Sequence, residues 1–147
     1  MRQSGSAIEL KQLPRLSLMA RKMIRVLLVE DEKIHRVVAR AAAKAAGVND
    51  DYVLDEAENG AAAVQRVREA AAPYDLILMD KQMPVLDGHE ATRRIRAMGV
   101  TTPVVAVSSD VLPADVEAFI SAGADDFTPK PLSKEKLGNI LAKFGLA

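Results

Sequence analysis

A chain of 147 residues, 49% hydrophobic and 27% charged, has the size and balance of one globular domain with a single core, and not those of a disordered segment. It contains no cysteine, which excludes disulfides and thiolate metal sites, and no apolar run near the roughly 20 residues that a membrane-spanning helix needs. The net charge is zero, but residues 1–22 carry +4, so the remaining chain carries −4.

The uneven charge predicts two segments. Residues 1–22 combine basic groups with Ser, Gly, Pro and scattered leucines, a composition that predicts a flexible basic leader or linker. Residues 23–147 are predicted to form one folded domain, whose mildly acidic balance argues against a nucleic-acid surface. Because residues 1–22 also lack the continuous apolar segment of a secretory signal, we expect an intracellular protein, in the cytoplasm or, in a eukaryote, also in the nucleus.

From Ile24 onward, short runs of branched apolar residues alternate with stretches of helical periodicity. The apolar runs predict strands over residues 24–30, 52–57, 75–80, 103–109 and 125–128. Helices are predicted over residues 33–46, from the Asn59-Gly60 turn to Ala72, over residues 89–99 and 113–121, and from Ser133 to near the end of the chain. A helix therefore follows each predicted strand.

Five strand–helix units within about 120 residues imply an α/β domain with a parallel sheet and helices on both of its faces, a doubly wound arrangement. The first, third and fourth strands are continuously apolar, which predicts that they lie at the centre of the sheet. In such a sheet, ligands bind outside the carboxyl ends of the strands, near the point where the strand order reverses.

Polar residues stand at four of these carboxyl ends. They are Glu30, Asp31 and Glu32 after the first strand, Asp80 at the end of the third, Ser108, Ser109 and Asp110 at the end of the fourth, and Lys130 after the fifth. Carboxylates gathered in one place repel each other unless a cation lies among them, and hard oxygen ligands suit Mg²⁺, with Mn²⁺ also possible. A lysine and a hydroxyl beside them would bind an anionic phosphoryl group. The set suggests phosphoryl chemistry on a carboxylate.

Each of these residues also has a purely structural interpretation when taken alone. Glu30 or Asp31 could cap the next helix, and Asp80 could be a turn former. Ser108 could be a small core residue, and Lys130 could be solvated. The coincidence of all of them at successive strand ends is what favours a functional site.

Four segments resemble the signatures of the receiver domains of two-component response regulators. They are LLVEDE (27–32), LILMDKQMPVLDG (76–88), PVVAVSSD (103–110) and AGADDFTPKPL (122–132). The resemblance extends from about Arg25 to Phe144. It implies a flavodoxin-like (βα)5 fold with strand order 2-1-3-4-5, and a signalling switch that acts only on its own phosphorylation and dephosphorylation.

The resemblance also implies roles for individual residues. Asp80 is the implied phosphoacceptor, which takes a phosphoryl group from the phosphohistidine of a histidine kinase or histidine phosphotransfer protein. Mg²⁺ would be bound by Asp31 and Asp80, by Glu30 directly or through water, and by the backbone carbonyl of Gln82. Lys130 would pair first with Asp80 and then with a phosphoryl oxygen, and the Lys130–Pro131 peptide would be cis.

Ser108 and Phe127 would form the switch. The Ser108 hydroxyl would bond the phosphoryl group and the Phe127 ring, where Tyr is common in the family, would turn inward. The surface of the fourth helix, fifth strand and fifth helix would then signal to a protein partner, without direct nucleic-acid contact or membrane insertion. Ser109, where Ala or Gly is usual, would tune the phosphoryl lifetime together with Asp110 and Gln82.

Two other functions compete with this interpretation. An Mg²⁺-dependent aspartate-nucleophile phosphatase usually has a second acid two residues after the nucleophile, where this chain has Gln82. A degenerate receiver that serves only for binding would not need an intact set of acidic, hydroxyl and lysine residues.

The segment MPVLDGHEATRRIR (83–96) resembles receivers of hybrid kinases and multistep relays, and the Ala-rich body resembles small plant-type response regulators.

Overall fold

The computed structural model describes residues 24–46, 52–81, 83 and 85–146. Within them, five strands alternate with five helices: β1 (Ile24–Val29), α1 (Lys33–Ala45), β2 (Tyr52–Ala57), α2 (Gly60–Glu69), β3 (Leu76–Met79), α3 (Gly88–Ala97), β4 (Val104–Ser108), α4 (Pro113–Ala122), β5 (Asp126–Pro129) and α5 (Lys134–Lys143). Among the helices described, none is long and apolar enough to span a membrane. The predicted leader, residues 1–22, lies outside the described residues.

The five strands form one parallel sheet in the order β2-β1-β3-β4-β5. The predicted doubly wound fold and its strand order 2-1-3-4-5 are therefore confirmed. The chain passes from β1 outward to β2 and then returns across β1 to β3, so the strand order reverses between β1 and β3. A crevice opens at the carboxyl ends of these two strands.

Alternation of side chains along the strands divides the core between the two faces of the sheet. Leu27 and Val29 of β1 pack on one face with α2, α3 and α4, whereas Val26 and Leu28 pack on the other face with α1 and α5. Strands β1, β3 and β4 are almost wholly buried, which confirms that they are central. Because helices cover both faces, the strand ends are the part of the sheet left open to ligands.

Local signals set most helix ends where the sequence predicts them. Ser133 caps α5 by accepting a hydrogen bond from the Lys136 amide, and Pro113 occupies the first turn of α4. Gly123 ends α4 in the left-handed conformation, with φ of 117°. These caps fix where each loop begins, and so fix the loops that carry the strand-end residues.

The end of helix α2 differs from the prediction. The helix ends at Glu69 and not at Ala72, because Ala70 is already extended. The residues that follow return the chain to the sheet and bury Tyr74, whose hydroxyl donates to Asp55 Oδ2 at 2.6 Å. Burial of this ring therefore outweighs the helix propensity of the alanines.

Candidate active site

The four polar strand ends meet in one place. Glu30 follows β1, Asp80 follows β3, Ser108 ends β4, and Lys130 follows β5. Glu30, Asp80 and Ser108 are all buried, with 4%, 6% and 4% of their surface exposed. Burial of two carboxylates and a hydroxyl is rare without partners, so their surroundings decide what the cluster can do.

Lys130 is the cation at the centre of the cluster. Its Nζ lies 2.7 Å from Glu30 Oε1 and 3.0 Å from Asp80 Oδ1. The peptide between Lys130 and Pro131 is cis, as predicted, and the Lys130 amide donates to the Ser108 carbonyl at 3.0 Å. The ammonium therefore joins the acidic residues that follow β1 and β3.

The Asp80 carboxylate is held by one of its oxygens. Oδ1 accepts from the Lys81 amide at 2.8 Å and from the Lys130 ammonium. Because both contacts fall on Oδ1, the carboxylate is fixed in orientation and can present Oδ2 to an incoming group. This arrangement suits a nucleophilic carboxylate, because one oxygen is held while the other can attack.

Glu30 and Asp31 are oriented by helix α1. The Glu30 side chain accepts from the Glu32 amide at 3.1 Å. The Arg36 guanidinium donates to the main-chain carbonyls of Glu30 and Asp31 at 2.8 and 3.0 Å. Arg36 was not predicted to belong to the site. Its position in the first turn of the helix that follows Glu30 and Asp31 could have indicated contact with them.

Three carboxylates fit a divalent cation. One carboxylate oxygen from each of Glu30, Asp31 and Asp80 lies within 4.8 Å of the others. A single lysine cannot balance three carboxylates, and hard oxygen donors at this spacing suit Mg²⁺ or Mn²⁺. The fourth predicted ligand, the backbone carbonyl of Gln82, lies outside the described residues.

The imbalance of charge shows in the pKa values of the carboxyls. Burial and the negative charge of Glu30 raise the pKa of Asp80 to about 6, against the opposing effect of the Lys130 ammonium. Burial alone would raise the pKa of Glu30, but hydrogen bonds from Lys130 and the Glu32 amide hold it below its usual range. Of the two carboxyls, Asp80 is thus the one whose ionisation is disfavoured.

We expect Asp80→Asn to raise the free energy of unfolding of the metal-free protein at pH 7 by about 1–3 kcal/mol. Because the pKa of Asp80 is higher in the folded chain than in the unfolded chain, ionisation of Asp80 costs stability as the pH rises through about 4 to 6. The advantage of the variant should therefore shrink as the pH falls from about 7 to 4. Urea unfolding in the presence of EDTA measures this difference.

Asp87→Asn is the matched control, because Asp87 is exposed and Asn caps a helix as well as Asp does. A gain in stability that is independent of pH, or a variant less stable than wild type at pH 7, would contradict the expectation.

A cavity of about 280 Å³ opens above the cluster. It is lined by Asp31, Glu32, His35, Asp80, Ser108, Ser109, Asp110 and Lys130. Two residues of the predicted tuning set, Ser109 and Asp110, are therefore on its wall, next to Asp80.

His35 was missed by the sequence analysis. Its Nδ1 lies 3.2 Å from Lys130 Nζ and 3.5 Å from Glu30 Oε2, so its ring forms part of the rim.

Ser108 and Asp110 are linked through the main chain of the β4–α4 loop (residues 109–112). The Asp110 amide donates to Ser108 Oγ at 3.1 Å. Asp110 Oδ2 in turn accepts from Lys81 Nζ at 2.8 Å, and Asp115 in the first turn of α4 accepts from the same ammonium at 2.8 Å. Both hydrogen bonds raise the pKa of Lys81, that to Asp110 first and that to Asp115 second in size. No pattern in the sequence singles out Lys81.

Phe127 on β5 is half-buried and packs against the core cluster that also contains Phe119 and Met79. Its strand pairs with β4, so the ring lies on the strand next to the one that ends in Ser108. The order of elements β4, α4 and β5 thus places both predicted switch residues in the same part of the domain.

The main chain behind Asp80 is packed against helix α3. The Gly88 amide donates to the Lys81 carbonyl at 2.8 Å. A Cβ at position 88 would collide with the Asp80 carbonyl and contact the ring of Phe119. Only glycine therefore permits this close approach. Met83, in the same loop, is also buried.

Comparisons with known proteins agree with this geometry. A family model described as the response regulator receiver domain matches residues 26–142. The two-component response regulator ORR41 of Oryza sativa subsp. japonica is 84% identical over 129 residues, 88% of this chain and 100% of that protein. The two-component response regulator ARR22 of Arabidopsis thaliana is 39% identical over 121 residues, 80% of each protein.

A solved structure shows the same fold. The receiver domain of the sensor histidine kinase PA1611 from Pseudomonas aeruginosa PAO1, with a magnesium ion coordinated in its active site cleft, superposes with a TM-score of 0.71. The two sequences are 34% identical, and the match covers 82% of this chain and 96% of that chain.

Proposed function

Since the chain belongs to the response regulator receiver family and acts in two-component phosphorelay signalling, we propose that Asp80 is the residue that receives the phosphoryl group. The observation that carries the proposal is a buried carboxylate, fixed through Oδ1 by a lysine and facing a polar cavity. The donor is a phosphohistidine on a histidine kinase or histidine phosphotransfer protein.

The transfer is a displacement at phosphorus. A carboxylate oxygen of Asp80 forms a bond to phosphorus as the bond from phosphorus to the donor imidazole breaks, and the electron pair leaves with the imidazole nitrogen. The product is an acyl phosphate on Asp80. Lys130, which already touches Asp80, moves its contact to a phosphoryl oxygen and offsets the charge that arrives.

Glu30, Asp31 and Asp80 would hold Mg²⁺, with the Gln82 carbonyl as a further ligand. When bound, Mg²⁺ offsets the charge of the attacking carboxylate and of the phosphoryl oxygens. The three carboxylates supply the donor set, and the Arg36 contacts to the carbonyls of Glu30 and Asp31 keep two of them in place.

The switch follows from the added charge and acceptors. Phosphorylation adds about two negative charges and three acceptor oxygens, to one of which the Ser108 hydroxyl donates. Phe127 then repacks, and the surface of α4, β5 and α5 presents a different shape to a downstream protein. The two conformations are in equilibrium, and the phosphoryl group shifts the populations.

Ser109 and Asp110, with Gln82, set the lifetime of the phosphoryl group, because the first two line the cavity through which water reaches Asp80. The chain acts on no separate substrate, binds no nucleic acid directly, and works inside the cell. The phosphatase and binding-only alternatives find no support in the family and relatives that match.

Binding of beryllofluoride, a stable mimic of the phosphoryl group, tests the proposal. We expect ¹⁹F NMR to show a bound signal with Mg²⁺ and none after EDTA, because the anion must overcome the charge of three carboxylates. Asp31→Asn should lower Mg²⁺ affinity by more than about tenfold. Glu90→Gln on the exposed side of α3 should leave it unchanged.

A wild-type protein that shows no bound signal with Mg²⁺, or one equally strong after EDTA, would overturn the assignment of this site.

A further inference from the structure

Lys81 connects the proposed phosphoacceptor Asp80 to the loop that carries the proposed switch residue Ser108. Its amide donates to Asp80 Oδ1 at 2.8 Å, and its ammonium lies 2.8 Å from Asp110 Oδ2. The Asp110 amide donates to Ser108 Oγ at 3.1 Å. One residue therefore contacts Asp80 through its main chain and the loop of Ser108 through its side chain.

The side chain of Lys81 is committed to these contacts. Its ammonium also binds Asp115 at 2.8 Å, and only 18% of the Lys81 side chain is exposed. Although Lys81 follows the acidic cluster directly in sequence, its ammonium points to the β4–α4 loop and α4, and Lys130 is the cation at Asp80. The charge of Lys81 is thus not used by the phosphoryl chemistry proposed above.

These ion pairs join two loops whose relative position changes in the proposed switch. The Lys81 clamp, which we define as the pairs of Lys81 with Asp110 and Asp115, joins the segment after β3 to the segment after β4. A Ser108 hydroxyl that moves toward a phosphoryl group must carry the Asp110 amide with it or break the bond to it. The clamp resists that displacement.

Given the proposed roles of Asp80 and Ser108, on which this inference rests, we propose that Lys81 is a positioning residue that holds the β4–α4 loop, and with it Ser108, in the unphosphorylated conformation. Lys81 acts through Asp110 and Asp115 and does not touch the reacting group. A variant without the clamp needs less free energy to reach the phosphorylated conformation, so it binds beryllofluoride more tightly.

Two substitutions of opposite charge provide the test. Lys81→Met removes a positive charge and Asp115→Asn removes a negative one, yet both weaken the clamp. With saturating Mg²⁺, we expect ¹⁹F NMR titration to show beryllofluoride affinity raised by about fivefold in Lys81→Met and by about twofold in Asp115→Asn. Lys81→Arg, which can keep both pairs, should stay near wild type.

A double variant separates the clamp from independent effects. If Asp115 contributes through the clamp, adding Asp115→Asn to Lys81→Met should not raise the affinity further. Lys44→Met is the matched control, because Lys44 is exposed in the last turn of α1, outside the α4, β5 and α5 surface. Its beryllofluoride affinity should equal that of wild type.

Each outcome is decisive. Effects of opposite sign in the two single variants would show that general electrostatics act and no clamp does, and unchanged or weaker binding in both would also overturn the inference. Urea unfolding is measured alongside, because mere loss of stability would weaken binding, whereas loss of the clamp strengthens it. If wild type itself failed to bind beryllofluoride, that result would contradict the proposed function as a whole, whereas the variant results above concern only the role of Lys81.

Discussion

Asp80→Asn should abolish transfer of a phosphoryl group from acetyl phosphate to the protein in the presence of Mg²⁺. An amide oxygen is a poor nucleophile, and an acyl phosphate cannot form on it. The substitution keeps the shape of the side chain at a residue that is 6% exposed, so loss of labelling cannot be attributed to a cavity or to a new steric conflict. Intact mass spectrometry measures the labelled fraction directly.

The control uses the same chemical change in the same loop. Asp87→Asn should be labelled as fully as wild type, because Asp87 is exposed and only caps α3. Hydroxylamine should remove the label from wild type, since it cleaves acyl phosphates. Equal labelling of wild type and Asp80→Asn would place the phosphoryl group on another residue.

Lys130→Met should slow labelling by acetyl phosphate by about a hundredfold or more. It removes the only cation within 3.0 Å of Asp80 among the described residues, and leaves the Glu30 and Asp80 carboxylates facing each other. The same loss should lower the free energy of unfolding at pH 7 by about 3 kcal/mol, because two buried carboxylates then lack their partner. The stability loss should shrink as the pH falls toward about 6, because the pKa of Asp80 without Lys130 lies above that value and the carboxyl of the variant takes up a proton first.

Two further variants interpret that result. Lys143→Met removes an exposed lysine and should change neither rate nor stability by a comparable amount. Lys130→Arg keeps the positive charge but replaces a compact ammonium with a planar fork, so it should retain stability while labelling stays slow. Rapid labelling of Lys130→Met in a folded protein would refute a role for Lys130 at the phosphoryl group.

Much of the fold follows from local patterns in the sequence. The apolar runs before Glu30, Asp80 and Ser109 are long enough for strands only, and parallel strands bring their carboxyl ends to one edge. That geometry alone predicts that Glu30, Asp80, Ser108 and Lys130 meet, and the structure brings them together. Cap residues such as Ser133 act over a few residues, which makes helix starts predictable.

What could not be predicted depends on contacts between distant segments. Helix α2 ends early because Tyr74 is drawn into the core, an effect invisible in the alanines themselves. Lys81 meets Asp110 and Asp115 across 29 and 34 residues of chain, through the paths of two loops. His35 turns toward Lys130 across 95 residues. Patterns of hydrophobicity carry no information on such pairings.

Gly88 brings helix α3 into close contact with one side of the site. Helix α3 lies directly against the carbonyl of Asp80 with no room for a Cβ, and the Gly88 amide ties the same loop at Lys81. When a group is added to the Asp80 carboxylate, the main chain of Asp80 therefore cannot move back toward α3. The segment after Ser108 is held by side-chain ion pairs from Lys81 and is more exposed, with 44% of the Asp110 side chain accessible to solvent. We therefore expect a phosphoryl group on Asp80 to displace the segment that leads to α4 further than it displaces α3.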